Sequence, residues 1–255
     1  MDNLSWVDFS RRNDPAHPKG VEMLKKRLKY EGIPKVFCFW TKAPNRIATL
    51  YRDIIMDLKK EGTLVLVQAT INHYHEMENI QKEWIELDNL VDLLGNPKQI
   101  RLRFDPIIVG YTKPSMFQQT IDIANIYEID RIITNFLVPD YKGVGKLLSS
   151  KGFNIKEPTE KYKVEVLSKM LEMSGNIDLA VCAESAYLQK KLPQLKMATC
   201  SDPRWAIKLR PDLGYVFTLN PSRKGCGCCY SDDWGEYRSQ GGYSCPHQCL
   251  YCYAK

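Results

Sequence analysis

The chain has 255 residues, 44% of them hydrophobic, and 36 Lys and Arg against 30 Asp and Glu give a formal net charge of +6. That length allows one large core or two smaller ones, and so mild a basic excess, with no Lys/Arg run interleaved with aromatics, permits nucleic-acid binding without signalling it. No apolar run reaches the roughly 20 residues of a spanning helix, and the opening MDNLSWVDFSRRNDP lacks the layout of a signal peptide, so a cytoplasmic protein with no membrane partner is expected.

Runs rich in β-branched and aromatic residues predict strands at Leu4–Phe9, Lys35–Trp40, Leu64–Ile71, Gln99–Phe104, Arg131–Val138 and Asp178–Ala183. Between them, Ile47, Leu50, Tyr51, Ile54 and Leu58 fall on one helical face. A second face carries Ile80, Trp84, Leu87, Val91 and Leu94, and the GNP at 95–97 stops it. Six βα units of this kind predict parallel strands joined by crossover helices. Continuous apolar strands such as LVLVQATI suit a sheet buried on both faces. The expected fold is α/β, a (βα) barrel, partial or complete and TIM-like, over residues 1–185. An open doubly wound sheet is the alternative, weakened because no phosphate-binding glycine loop follows the first strand. From residue 186 to 255 the rhythm gives way to a cysteine-rich, loop-dominated segment expected to pack on the same domain and cap the barrel. The stretch DYKGVGKLL, with two glycines and two lysines, reads as a flexible loop or a phosphate cradle.

In such folds chemistry gathers where strands end. The strand-end polar residues are Arg11, Arg12 and Asp14 in SRRND, Lys42 in FWTKAP, Gln68 and Thr70 in VQATI, Arg103 and Asp105 in RFDP, Asn135 in ITNFL and Glu184 in CAES. Arg11, Arg12, Lys42, Arg103, Asp105 and Glu184 are the candidate catalytic residues, and their positive excess points to an anionic substrate. The plainer alternative is that rim charges pair with one another, as Arg103 with Asp105. His73 and His75 in NHYHEM lack the spacing of a zinc protease and read as loop residues or substrate contacts.

Nine cysteines in a reducing compartment read as metal or redox ligands rather than disulfides. Cys245, Cys249 and Cys252 form a C-x3-C-x2-C loop, short enough to wrap one inorganic core, and soft thiolates select zinc or iron-sulfur clusters. Three thiolates leave one valence, which structural zinc would fill with a fourth ligand and a cubane cluster would leave open. His247, inside that loop, reads as a spacer. Cys182, Cys200, Cys226 and Cys228 could together hold a second iron-sulfur cluster or a zinc, with Cys229 a spare, whereas Cys38 between Phe37 and Phe39 reads as a small core hydrophobe.

The segment CPHQCLYC, with Tyr251 before its last cysteine, resembles the C-x3-C-x-aromatic-C signature of the radical S-adenosylmethionine (SAM) superfamily. The order SRRND, FWTKAP, RFDPI, CAE, CGC, SDDWGEY and CPHQCLYCYA is similar to that of the DUF1848 family, a domain of unknown function with a radical-SAM-like cysteine cluster at its C-terminus. The first resemblance implies a 4Fe-4S cluster on Cys245, Cys249 and Cys252, SAM at its open iron, and Tyr251 near the bound nucleoside; Gln68, one of the strand-end polar residues, is the other cofactor-binding candidate. It also implies a reductant such as flavodoxin or ferredoxin. In that superfamily the cysteine loop usually follows the first strand. A barrel brings its first and last elements together, so a loop at the chain's end can take the equivalent place. Two functions follow as expectations: a radical SAM-type enzyme that abstracts hydrogen from an unknown substrate, or a non-enzymatic zinc- or cluster-stabilised interaction module, for nucleic acid among other partners.

Overall fold

Strands and helices alternate along the residues that the computed structural model describes, namely 5–11, 13–182, 184, 186–214, 216–218, 228–235 and 245–252. In chain order these are β1 (Trp6–Phe9), α1 (Pro18–Glu31), β2 (Val36–Thr41), α2 (Pro44–Leu50), α3 (Arg52–Lys60), β3 (Leu64–Thr70), α4 (Asp88–Leu94), β4 (Ile100–Ile107) and α5 (Pro114–Ile126). There follow β5 (Arg131–Phe136), α6 (Val144–Ser150), α7 (Glu160–Ser174), β6 (Asp178–Cys182), α8 (Ala186–Lys191), β7 (Lys196–Ala198), α9 (Pro203–Leu209) and β8 (Asp232–Asp233). The described ladders are parallel, so the fold is α/β with parallel strands and crossover helices, as the βα rhythm predicts. No helix among the described residues is long and apolar enough to cross a membrane.

The chain divides into two compact units. The first comprises Met1–Ala69, Ile80–Ile100 and Thr199–His247. Within it β2 pairs with β1 and β3, and β8 pairs with the other edge of β1 through Val7 with Asp232 and Asp8 with Asp233. Alternating side chains point to opposite faces of a strand, and both faces here are apolar. One face stacks Phe9, Phe37 and Phe39 edge-on and tilted against one another and against Tyr51 and Trp234. The other packs Trp6, Val36, Cys38, Leu64 and Leu66 with Trp205, Leu213 and Cys229. Each such side chain contributes about 1.5–3 kcal/mol on burial. Cys38 is thus the core hydrophobe that its neighbours suggest.

The second unit comprises Thr70–Asn79, Arg101–Ala198 and Gln248–Lys255. In it β5 pairs with β4 and β6, and β6 pairs with β7. An apolar cluster of Tyr74, Met77, Ile108, Leu137, Val144 and Leu148 takes in Cys249 and Tyr251 from the end of the chain. That end is therefore anchored by packing.

Three elements depart from the sequence pattern. The predicted helix over Ile47–Leu58 is two helices, because Tyr51 takes a non-helical conformation (φ −110°, ψ 11°) and serves as C-cap of α2 and N-cap of α3. Its ring is buried against Phe9 and Phe39, and its hydroxyl donates to the Pro15 carbonyl at 2.7 Å, so tertiary contacts win over helix continuation. The face from Ile80 to Leu94 is likewise a 3-10 turn at Lys82–Ile85 followed by α4, ended by left-handed Gly95 (φ 78°) as the GNP predicts. DYKGVGKLL is not a flexible loop. It makes a 3-10 turn and then α6, with Gly143 at φ 74° supplying the bend.

Gly235, just after β8, lies against Ser10 at the end of β1. A β-carbon on Gly235 would overlap the Cα and Oγ of Ser10 and stand 2.5 Å from its amide nitrogen. Gly235→Ala is therefore expected to cost at least about 1–3 kcal/mol, read as a lower urea midpoint at unchanged m-value. A parental midpoint would mean that β8 does not dock this closely.

Candidate functional site

In the first unit, Asp8, Trp40 and Gln68 stand at the C-terminal ends of adjacent strands, and the register pairs Asp8 with Cys38 and Trp40 with Gln68. Asp8 is fully buried. Its carboxylate accepts from the Trp6 indole at 3.1 Å, the Trp40 indole at 2.8 Å and the Ser201 hydroxyl at 2.6 Å. Arg11 Nε lies 3.6 Å from both Asp8 and Asp233. The same corner holds two of the expected metal ligands. The Cys200 amide donates to Cys228 Sγ at 3.3 Å, and Gln68 Nε2 donates to the Cys200 carbonyl at 2.7 Å.

Charge and burial compete here. Burial works against the Arg11 cation, but Asp8, Asp233 and the two thiols Cys200 and Cys228 outweigh it and raise its pKa. Arg11 is thus a fixed positive charge beside the Cys200 and Cys228 pair. Burial first, and then Asp8, push the Cys229 thiol up to about 12. Cys229 itself packs into the apolar cluster of this unit.

A second carboxylate of this unit reaches the cysteine loop. Asp14 accepts from the Ala16 amide at 2.9 Å, the Lys42 amide at 2.5 Å and the Thr41 hydroxyl at 3.0 Å, and His247 Nε2 lies 2.8 Å from its Oδ2. That last approach is short but off the line of a well-formed hydrogen bond, so it counts as an ion-pair contact. Burial tends to raise the Asp14 pKa, but His247 and the backbone donors outweigh it and hold the carboxyl below its ordinary value. His247 is no mere spacer. It is buried, with its ring edge-on to Trp84.

In the second unit the centre is Asn72, just past β3. Its Oδ1 accepts from the Asp105 amide at 2.7 Å. Its Nδ2 stands 2.7 Å from the Asp105 carbonyl, 2.9 Å from Tyr251 Oη and 3.2 Å from Glu78. The Leu250 amide donates to the Met77 carbonyl at 2.9 Å, and Tyr251 meets the Tyr74 ring edge-on. Thus the segment NHYHEM, which includes His73 and His75, is a loop after a strand, and it grips the chain around Cys249 and Tyr251. Arg103 pairs with Asp105 at 2.5 Å, and Lys163 pairs with Glu184 at 2.9 Å. These rim charges do find one another.

The structure thus gathers Arg11, Gln68, Cys200 and Cys228 in the first unit, and Arg103, Asp105 and Tyr251 in the second. Lys42 contributes its amide to Asp14, and Cys182 is buried at the end of β6. Arg12 and Cys226 lie outside the described residues. Asp8, Ser201, Asp233, Trp40 and Asn72 are functional candidates that the sequence reading passed over or left unranked. An aspartate inside the apolar run WVDF was the available signal for the first.

The donors suit a soft metal group. Cys245, Cys249 and Cys252 form no disulfide, Cys249 is buried beside Tyr251, and His247 Nδ1 is a buried polar atom with no hydrogen-bond partner among the described residues. A group bound at the loop would satisfy such an atom. Among the described residues, no three His, Cys, Asp or Glu side chains stand already gathered as a metal cage.

A family model described as a domain of unknown function, DUF1848, matches residues 8–254. The chain belongs to the DUF1848 family. Comparison with curated proteins finds no match. The DUF1848 match runs from Asp8 through the cysteine loop, so it takes in both carboxylate centres and Asn72.

Proposed function

We propose that this DUF1848 protein is a radical SAM-type enzyme, built on a partial or complete (βα) barrel, with a 4Fe-4S cluster on Cys245, Cys249 and Cys252. The observation that carries the reading is the place of β8. It pairs in parallel with β1, and the cysteine loop is the next described stretch of the chain after it. The superfamily loop that CPHQCLYC resembles follows the first strand itself. A loop at the end of the chain can then serve the same ground.

When bound, the cluster would supply the electron that cleaves SAM to methionine and a 5'-deoxyadenosyl radical able to take hydrogen from a substrate. The chain's own residues have simpler tasks. Tyr251, its hydroxyl held by Asn72, presents an aromatic wall and keeps water from the loop. Arg103, neutralised by Asp105, orients polar groups near Asn72 rather than offering a free charge, and Glu184 is similarly engaged by Lys163. Lys42, Arg11 and Arg12 are assigned to substrate or to the SAM carboxylate, and Gln68 to the cofactor. Cys182, Cys200, Cys226 and Cys228 are assigned to a second cluster or a zinc, for which the fixed charge of Arg11 beside Cys200 and Cys228 is the support. A flavodoxin or ferredoxin would deliver the electron.

The test is to purify the protein without oxygen, measure iron, sulfide and zinc, reduce it with dithionite and add SAM. Expected are the absorption of an iron-sulfur protein and slow formation of 5'-deoxyadenosine and methionine. A colourless zinc protein would instead support the interaction module. Intact SAM over a reduced, loaded cluster would end the enzyme reading.

A further inference from the structure

We propose that Asp14 is a positioning residue that sets the cysteine loop through His247, an inference that rests on the reading above that this loop holds a metal group. Asp14 lies in the turn after β1, and its carboxylate gathers donors from three separate stretches of chain. Ala16 belongs to its own turn, Thr41 and Lys42 end β2, and His247 belongs to the loop Cys245–Pro246–His247–Gln248–Cys249. The first two stretches tie the carboxylate to the sheet of the first unit. The third ties the loop to the carboxylate.

The imidazole has little freedom in this setting. Asp14 Oδ2 faces Nε2 at 2.8 Å. Trp84 meets the ring edge-on at 5.7 Å, and the Arg46 guanidinium lies 5.0 Å from the Trp84 ring centre. Pro246 restricts the backbone before the histidine, and Gln248 after it takes the left-handed conformation (φ 45°). His247 is two residues from Cys245 and two from Cys249, so a shift of its ring carries into both neighbours. Carboxylates that fix an imidazole near a metal group are a recurrent way of holding ligands in place. Here the carboxylate would act on the loop between the ligands, and Nδ1 is buried with no hydrogen-bond partner among the described residues.

The experiment uses the full chain with Asp14→Asn, His247→Leu and both together. Two measurements are made. In metal-free protein, the rate of maleimide labelling is followed by mass spectrometry at Cys249 and Cys252, with buried Cys38 as internal control. In reconstituted protein, iron content and the electron paramagnetic resonance spectrum of the reduced cluster are recorded. Each single variant is expected to label Cys249 roughly tenfold or more faster, the scale of one lost buried contact to a charge, with Cys38 still protected. Each should also shift the resonance spectrum and lower iron content. The double variant should be no worse than the more affected single, because both changes cut one link. Parental labelling and an unchanged spectrum in both single variants, or additive effects in the double, would overturn the proposal. If Asp14→Asn exposes Cys38 as well, it has unfolded the core, and His247→Leu, which leaves Asp14 the Ala16, Thr41 and Lys42 donors, decides. If the parent holds zinc or no metal while the labelling contrast persists, the positioning role stands and the enzyme reading falls.

Discussion

Cys249→Ala is expected to abolish SAM cleavage while leaving a folded protein. Cys249 is the middle cysteine of the C-x3-C-x2-C loop and is buried among Tyr74, Met77, Ile108 and Leu137. Removing its sulfur leaves a small void worth about 1 kcal/mol, too little to unfold the apolar cluster that anchors the tail. It leaves two thiolates where three are needed, and a cluster so held is lost. Iron should fall by about one cluster's worth, and dithionite with SAM should yield neither 5'-deoxyadenosine nor methionine. Iron should persist at the second set, because Cys200 and Cys228 sit in their own hydrogen-bonded corner beside Arg11. Loss of all iron would mean that the two sets are one. Parental cleavage would remove Cys249 from the site altogether.

Asp8→Ala should produce the largest loss of stability. The change strips the acceptor from two indoles and the Ser201 hydroxyl, and it removes one counter-ion of Arg11. Each buried donor left unpaired costs about 1–3 kcal/mol, and breaking a buried ion pair by removing one partner costs about 3–5 kcal/mol. Relief elsewhere limits the total. Burial first, and Asp8 in addition, hold the Asp233 carboxyl above its ordinary range, so without Asp8 it ionises more readily and takes up part of the Arg11 charge. A net loss of about 3–5 kcal/mol is expected in urea unfolding. A shift under about 0.5 kcal/mol would mean that the Asp8 network is not formed in solution.

Much of the fold is legible in local pattern. All six strands that β-branched and aromatic runs mark out are present, and the GNP stop coincides with left-handed Gly95. Burial on both faces follows from runs such as LVLVQATI, because a strand without polar alternation has no face to offer water. The strands β7 and β8 were hidden, since three and two residues are too few to show a period. The break at Tyr51 was hidden too, because the apolar face runs on through it and only the packing against Phe9 and Phe39 shows why the helix stops.

For the candidate site the division is sharper. Sequence by itself determined the family, the cysteines and their loop spacing, since C-x3-C-x2-C is a property of neighbours along the chain. Only the tertiary structure decided what holds that loop. Asn72 meets Tyr251 across 179 positions, Ser201 meets Asp8 across 193, and Asp14 meets a histidine that looked like a spacer. Such pairings depend on which strand lies beside which. Side-chain chemistry names the partners that a buried carboxylate or amide requires, but only the folded backbone brings them within 3 Å.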